Sequence, residues 1–146
     1  MGKFFGTYNR SLDEKNRLQL PSKLVGEMPK SLFLVRGFEG CLMAYLSTDF
    51  DKFYEKLGTL DYFDEESRHF VRIASSSVSE CDVDAHGRLL LGKDVAASYH
   101  IGKEVSIIGA IDHFEIWDAS AYEEYMGNHE CEYERLAQSL GGRNDG

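Results

Sequence analysis

The stretches RSLDEKNRLQLP (residues 10–21) and ECDVDAHGRLLLG (residues 80–92) share one pattern, an aspartate followed four residues later by an arginine. The residues of the two patterns are Asp13 with Arg17 and Asp84 with Arg88. The surroundings align in the pairs Leu12 with Val83, Asn16 with Gly87, Leu18 with Leu89, and Leu20 with Leu91. The recurrence of this pattern in a matching apolar setting indicates a tandem repeat.

The alignment continues beyond the first pattern. After one extra residue in the second copy, LFLVRGFEGCLMAYL (residues 32–46) aligns with EVSIIGAIDHFEIWD (residues 104–118), and the apolar alternation is kept. A helical pattern then closes each copy. The chain is therefore predicted to form two modules, residues 1–75 with a linker helix at the end, and residues 76–140. Residues 141–146, GGRNDG, offer nothing to bury and are predicted to be a disordered tail.

Each half is predicted to hold two strands around a turn, a short helix, two further strands and a closing helix, which is an α+β fold. The predicted strands are residues 4–12, 17–20, 32–36, 41–46, 105–109 and 113–117. Asn16 and Gly87 share one turn position, and both types adopt the left-handed backbone conformation readily. A half of about 70 residues buries too little apolar surface to be stable alone. The halves are expected to pack on each other or on further copies of the chain.

The bulk composition favours a folded protein that stays in the cytoplasm. The chain has 146 residues, 42% of them hydrophobic, and a formal net charge of −9. No apolar run reaches the roughly 18 residues that a membrane span requires, and the first residues lack the apolar stretch of a signal peptide. The three cysteines are an odd number without metal-ligand spacing, and they are expected to be reduced, packed thiols.

The charge is unevenly distributed along the chain. Residues 1–36 contain seven basic and three acidic side chains, so their net charge is positive. Because the whole chain has a net charge of −9, residues 37–146 carry a net negative charge larger than that of the whole chain. A split of this kind leaves room for one positive surface on an otherwise acidic body, because exposed charges act over a Debye length of about 8 Å at physiological salt. An ordinary charge fluctuation explains it equally well.

The first turn is the strongest candidate for binding DNA. Arg10, Lys15 and Arg17 cluster around it, and Asn16 offers an amide. An arginine fork can grip a phosphate or the O6/N7 edge of guanine with two hydrogen bonds, whereas lysine acts as a point charge on phosphate. The second turn keeps Arg88 but has no lysine, and it is expected to serve mainly folding or assembly. The alternative for both patterns is structural, with each aspartate closing its turn and pairing with its own arginine.

Catalysis is the least favoured class. Asp13 and Asp84 could act as paired carboxylates, but the duplication explains both more simply. Asp82 with Asp84 is too short a pattern to indicate a metal in an acidic chain, and Cys81 with His86 is two ligands where structural zinc requires four. No Walker or dinucleotide glycine loop occurs. The sequence predicts no catalytic residue, metal site or cofactor and no small-molecule substrate.

The motifs YNRSLDEKNRLQLP, CDVDAHGRLLLG and IGAIDHFEIWD resemble those of the MraZ family of bacterial transcriptional regulators. The resemblance spans nearly the whole chain. It implies two AbrB-like (SpoVT-AbrB) swapped-hairpin modules related by a pseudo-twofold, and assembly of the chains into a ring. It implies action at the promoter of the division and cell-wall gene cluster, which includes the family's own gene, through short direct repeats in double-stranded DNA. It also implies a nucleoid-associated location.

The family's DNA contact falls on the basic turn of the first module, which here is Lys15, Asn16 and Arg17 with Arg10 nearby. Where this chain has Asn16 the family often has glycine, a tolerable departure because asparagine also enters the left-handed region. A rival hypothesis is a structural or protein-interaction oligomer, an antitoxin-like module that uses the acidic second half and binds no specific DNA.

Overall fold

The computed structural model of the protein describes residues 3–144, and it is an α+β fold. The strands are β1 (Thr7–Ser11), β2 (Arg17–Gln19), β3 (Ser31–Arg36), β4 (Leu42–Tyr45), β5 (Ser79–Asp82), β6 (Arg88–Leu90), β7 (Glu104–Gly109) and β8 (Phe114–Asp118). The helices are α1 (Ser22–Val25), α2 (Ser47–Gly58), α3 (Glu65–Ser76), α4 (Lys93–Ser98), α5 (Ala119–His129) and α6 (Tyr133–Asn144), with a 3-10 turn over Glu130–Glu132. The two copies therefore repeat one element order, as the alternation of polar and apolar residues predicts.

Strand pairing crosses between the two copies. Six strands form an antiparallel sheet in the order β1-β7-β8-β4-β3-β5, and β2 pairs with β6 in a separate two-stranded sheet. The first strand of each copy thus pairs with the third strand of the other, β1 with β7 and β5 with β3. Neither copy has a complete sheet of its own, because each lends a strand to its counterpart.

The principal core lies between the β2–β6 pair and the large sheet, and both copies contribute to it. Leu18 and Leu89 stand opposite each other in the β2–β6 register, and both are fully buried. The same cluster contains Phe114 and Ile116 of β8 and Leu34 of β3. Because aligned residues from both copies fill one core, the pseudo-symmetry of the sequence becomes a packing symmetry.

A smaller aromatic cluster attaches α2 to the sheet. The rings of Phe33 and Phe50 stack with their centroids 4.4 Å apart, and Tyr45 meets Phe53 at 5.2 Å. In the second copy, the ring of Trp117 in β8 contacts the rings of Tyr122 and Tyr125 in α5. The closing helix of each copy is held by aromatic residues at its first turns.

Two expectations from the sequence need correction. Residues 141–146 were expected to be disordered, but α6 continues as a helix to Asn144, and residues 145–146 lie outside the described part. The helical backbone bonds of the preceding residues carry on through Gly141 and Gly142, each at a cost of about 1 kcal/mol relative to alanine. Packing was expected for all three cysteines, but Cys131 is exposed, since the 3-10 turn that carries it buries no residue.

Several apolar side chains remain exposed on the single chain. They are Phe5, Phe38, Tyr54, Leu60, Tyr62, Phe63, Phe70, Ile73, Leu90, Ile111, Tyr133, Leu136 and Leu140. Every side chain of α6 that the structure describes is exposed. Within residues 3–144, none of the helices combines the length and the apolar composition that a membrane-spanning helix requires.

Candidate nucleic-acid interface

The first turn is closed by the side chain of Asp13. Its Oδ1 accepts hydrogen bonds from the backbone N–H groups of Lys15 and Arg17, both at 2.9 Å. The backbone adds two further bonds, from Asn16 N–H to the carbonyl of Asp13 and from Asp13 N–H to the carbonyl of Arg17. Asn16 has φ 56°, the left-handed conformation that the sequence predicted for this position. One carboxylate and two backbone hydrogen bonds therefore close the turn.

The same carboxylate also holds the side chain of Arg17. Oδ2 of Asp13 accepts a hydrogen bond of 2.6 Å from Nε of Arg17, whose side chain is 25% exposed. Within the described part of the chain, no group accepts a hydrogen bond from Nη1 or Nη2 of Arg17. The pairing therefore fixes the guanidinium plane through one nitrogen and leaves the two-pronged edge for a ligand.

The second turn repeats this arrangement atom for atom. Oδ1 of Asp84 accepts from the N–H groups of His86 and Arg88 at 2.9 and 3.0 Å, and Oδ2 accepts from Nε of Arg88 at 2.8 Å. Gly87 takes the left-handed place with φ 75°. Both aspartates thus have the turn-closing use that was one of the two readings of their pattern.

The β2–β6 pair brings the two patterns onto one short ribbon. Arg17 stands opposite Leu90 and Gln19 opposite Arg88, while the central leucines point inward. Nη1 of Arg88 lies 4.0 Å from Oδ2 of Asp13, so this carboxylate has a guanidinium from each copy beside it. Residues that are far apart in the sequence therefore share one surface.

Hydrogen bonding keeps both aspartates ionised. The pKa of the Asp13 carboxyl is lowered mainly by the hydrogen bond from the backbone N–H of Arg17, and the pKa of Asp84 is lowered mainly by that of Arg88. A carboxyl with a lowered pKa in the folded state stabilises that state at pH above its unfolded pKa, about 3.9. The contribution is lost only as the pH falls through the lowered pKa. At neutral pH both turns are therefore closed.

The remaining predicted DNA-contacting residues lie in two places, in the first turn and on β1. Lys15 is exposed and Asn16 is half-buried in the turn itself. Arg10 lies on β1, where Nη1 donates to the carbonyl of Asn9 and the guanidinium sits 6.0 Å from the ring centroid of Tyr8. Its described contacts lead back along β1, and none joins it to Lys15, Asn16 or Arg17. The structure brings three of the four predicted residues into one turn.

Two further residues at this surface were missed from the sequence. The side-chain amide of Gln19 donates to the carbonyls of His86 and Gly87, at 3.1 and 3.2 Å, and so ties β2 to the second turn. Lys103, in the loop before β7, lines a shallow cavity of about 430 Å³ beside the first turn, and its carbonyl accepts from Leu12 N–H. Both depend on pairing between the copies, for which the linear pattern holds no signal.

Comparison with known proteins adds a family to this geometry. The model of the family described as “MraZ protein, putative antitoxin-like” matches residues 4–73 and again residues 76–144. The chain belongs to the MraZ family. The two matched segments fit the duplication, and each contains one copy of the Asp-x-x-x-Arg pattern.

Relatives in the MraZ family cover nearly the whole chain. The protein named “Transcriptional regulator MraZ” of Cytophaga hutchinsonii is 33% identical over 142 residues, which is 94% of each chain. Proteins of the same name from Acetivibrio thermocellus and an Arthrobacter species are 32% and 31% identical, over 94% and 95% of this chain and 96% and 98% of their own. The alignments therefore include nearly the whole length of these MraZ proteins.

Proposed function

We propose that the protein is a sequence-specific DNA-binding transcription regulator whose first turn contacts the operator. The observation that carries this proposal is the guanidinium of Arg17, held through Nε by Asp13 with its two-pronged edge left for a ligand. A fork fixed in advance loses little side-chain entropy on binding, and its geometry matches the O6/N7 edge of guanine. Lys15 and Asn16 add a point charge and an amide to the same turn, and Arg10 approaches the flanking phosphates.

The target in this proposal is the promoter of the division and cell-wall gene cluster, including the protein's own gene, read through short direct repeats. The names of the relatives support action on transcription. The promoter and the repeats follow from the resemblance of the two Asp-x-x-x-Arg motifs to those of the family. In this proposal the protein lies in the cytoplasm, is associated with the nucleoid and has no enzymatic activity.

Self-association is part of the proposal. A single basic turn on a chain with a net charge of −9 binds DNA weakly. Several turns that face one duplex gain affinity through effective concentration, and major-groove sites recur about every 10 base pairs. Exposed apolar residues away from α6 support such an assembly: Phe5, Phe63 and Ile111 are 74%, 95% and 79% exposed on the single chain. We propose a ring of chains with AbrB-like swapped-hairpin modules.

The decisive experiment compares Arg17→Ala with a matched control, Arg135→Ala. Arg135 also pairs with a carboxylate, Glu132, at 2.6 Å, but in α6 rather than in the turn. Fluorescence anisotropy would measure binding to a duplex from immediately upstream of the gene and to a scrambled duplex, and light scattering would measure assembly. We expect Arg17→Ala to lose the preference for the upstream duplex while the oligomer survives, and Arg135→Ala to keep it. Normal discrimination by Arg17→Ala would refute the role of the turn.

A second candidate function is a protein-interaction module, which the antitoxin-like description of the family favours. The two candidate functions differ in how binding affinity responds to salt concentration. Each phosphate contact contributes about −0.9 to the slope of log affinity against log salt concentration, because counterions are released. If the wild-type protein binds neither duplex at low salt but binds a partner protein, the result would favour the protein-interaction module.

A further inference from the structure

The second turn presents an arginine in the same state as the first. Nε of Arg88 is bound to Asp84, the side chain is 29% exposed, and Nη1 lies 4.0 Å from Oδ2 of Asp13. Within the described residues no hydrogen bond uses Nη1 or Nη2 of Arg88. Two guanidinium groups, one from each copy, therefore stand around one carboxylate on the outer side of the β2–β6 ribbon.

Closing the second turn does not require the Arg88 side chain. The turn is formed by Oδ1 of Asp84, which accepts from the backbone N–H groups of His86 and Arg88, and by the left-handed Gly87. Any residue except proline at position 88 supplies the same backbone N–H. Within its own turn the guanidinium contacts only Oδ2 of Asp84, through Nε, and Nη1 adds an ion pair of 4.0 Å to Asp13 that is longer than a hydrogen bond. Closure of the turn therefore leaves the forked edge available to a ligand.

We infer that Arg88 is a second DNA-contacting residue, and that the unit presented to DNA is the β2–β6 ribbon rather than the first turn alone. The inference rests on the proposed function and extends its contact surface to the second copy. Each chain then offers two forks, Arg17 and Arg88, on neighbouring antiparallel strands whose inward leucines anchor them to the core. A two-stranded ribbon is narrow enough to enter the major groove.

The two forks are expected to differ in what they contribute. Lys15 accompanies Arg17, whereas His86 stands at the corresponding place beside Arg88. The first turn therefore combines a fork with a point charge suited to phosphate. The second turn offers a fork without a neighbouring permanent cation, so its contribution falls more on base discrimination than on salt-dependent attraction. Gln19, bonded to the carbonyls of the second turn, is a positioning residue for that fork.

The test replaces each arginine by lysine, which keeps the charge and an ion pair with the aspartate but removes the fork. Arg88→Lys, Arg17→Lys and the control Arg135→Lys would be measured for affinity to the upstream duplex and a scrambled duplex over a range of salt. Thermal unfolding and light scattering would run in parallel. We expect Arg88→Lys to lower the preference for the upstream duplex by about 5- to 150-fold, with an unchanged salt slope and an intact oligomer. Arg135→Lys should match the wild type.

The outcomes separate the inference from the proposed function. If Arg17→Lys loses discrimination while Arg88→Lys keeps it, the second fork is refuted and the first turn stands. If the wild-type protein does not prefer the upstream duplex at any salt concentration, the proposed function itself fails. A stable, assembled Arg88→Lys variant that loses discrimination supports the ribbon as the reading unit. A loss that tracks unfolding or dissociation assigns Arg88 to the fold and refutes the inference.

Discussion

Leu89 is the residue whose truncation should most directly test the packing beneath the proposed ribbon. It lies in the centre of β6, is 0% exposed, and faces the equally buried Leu18 across the β2–β6 pair. Its neighbour Leu90 carries the same side chain on the opposite side of the strand and is 39% exposed. Leu89→Ala and Leu90→Ala therefore remove the same atoms from two faces of one strand.

The expected cost of Leu89→Ala follows from its burial. Leucine to alanine changes in a closed core lower the free energy of unfolding by about 2–5 kcal/mol, the larger values arising where the cavity cannot collapse. β2 and β6 are three residues each and can relax inward in part, so we expect about 3 kcal/mol. For a chain of this size that corresponds to a melting temperature lower by roughly 6–12 °C. Leu90→Ala should change the unfolding free energy by no more than about 0.5 kcal/mol.

Calorimetry and urea unfolding would measure both variants at one protein concentration, because self-association makes the melting temperature depend on concentration. Leu18→Ala is the symmetric counterpart, and it should cost about the same as Leu89→Ala, since the two residues face each other in one core. Equal losses for Leu89→Ala and Leu90→Ala would refute the strand register, because a slip of one residue exchanges the two faces.

Two further changes test the turn and the sheet. Asp13→Asn keeps an oxygen for the two backbone N–H groups but places an amide N–H against Nε of Arg17. We expect an unchanged circular dichroism spectrum, because the turn still closes, and a lower affinity for the upstream duplex in fluorescence anisotropy. An unchanged affinity would show that DNA binding does not require Asp13 to hold the Arg17 side chain. Gly109→Ala places a Cβ against the backbone of Phe5 and should cost about 1–3 kcal/mol in urea unfolding, whereas Gly127→Ala, in open space on α5, should stabilise the helix by about 0.5–1 kcal/mol. Equal effects of the two glycine changes would contradict the close approach at Gly109.

The sequence predicts the elements better than their partners. Alternation of apolar residues identifies the strand that contains Leu18, and its counterpart with Leu89, because each has one buried face. The alternation is the same whether a strand pairs within its own copy or with the other, so the pairing of β1 with β7 and of β2 with β6 had no signal. Tertiary packing of the joint core decides between those arrangements.

The sequence likewise predicts the local features of the candidate site and not those that depend on pairing between the copies. The left-handed turn and the Asp13–Arg17 pair are local, and residue type and spacing predict them. The approach of Arg88 to Asp13 and the bond from Gln19 to the second turn depend on pairing between the copies. The place of Arg10 in the sequence groups it with the turn, yet its described contacts run back along β1, because Arg10 and Tyr8 are two positions apart and point to the same face of the strand.

Duplication gives this chain an internal comparison between what the turn requires and what a ligand requires. Both turns have the aspartate that accepts two backbone bonds and a residue with positive φ, so these features belong to folding. Lys15 has His86 at its counterpart place, and the second turn closes equally well without the cation. The lysine is therefore available for a purpose outside the fold. The same reasoning applies to the forked edges of both arginines, because each turn is complete before those nitrogens are used.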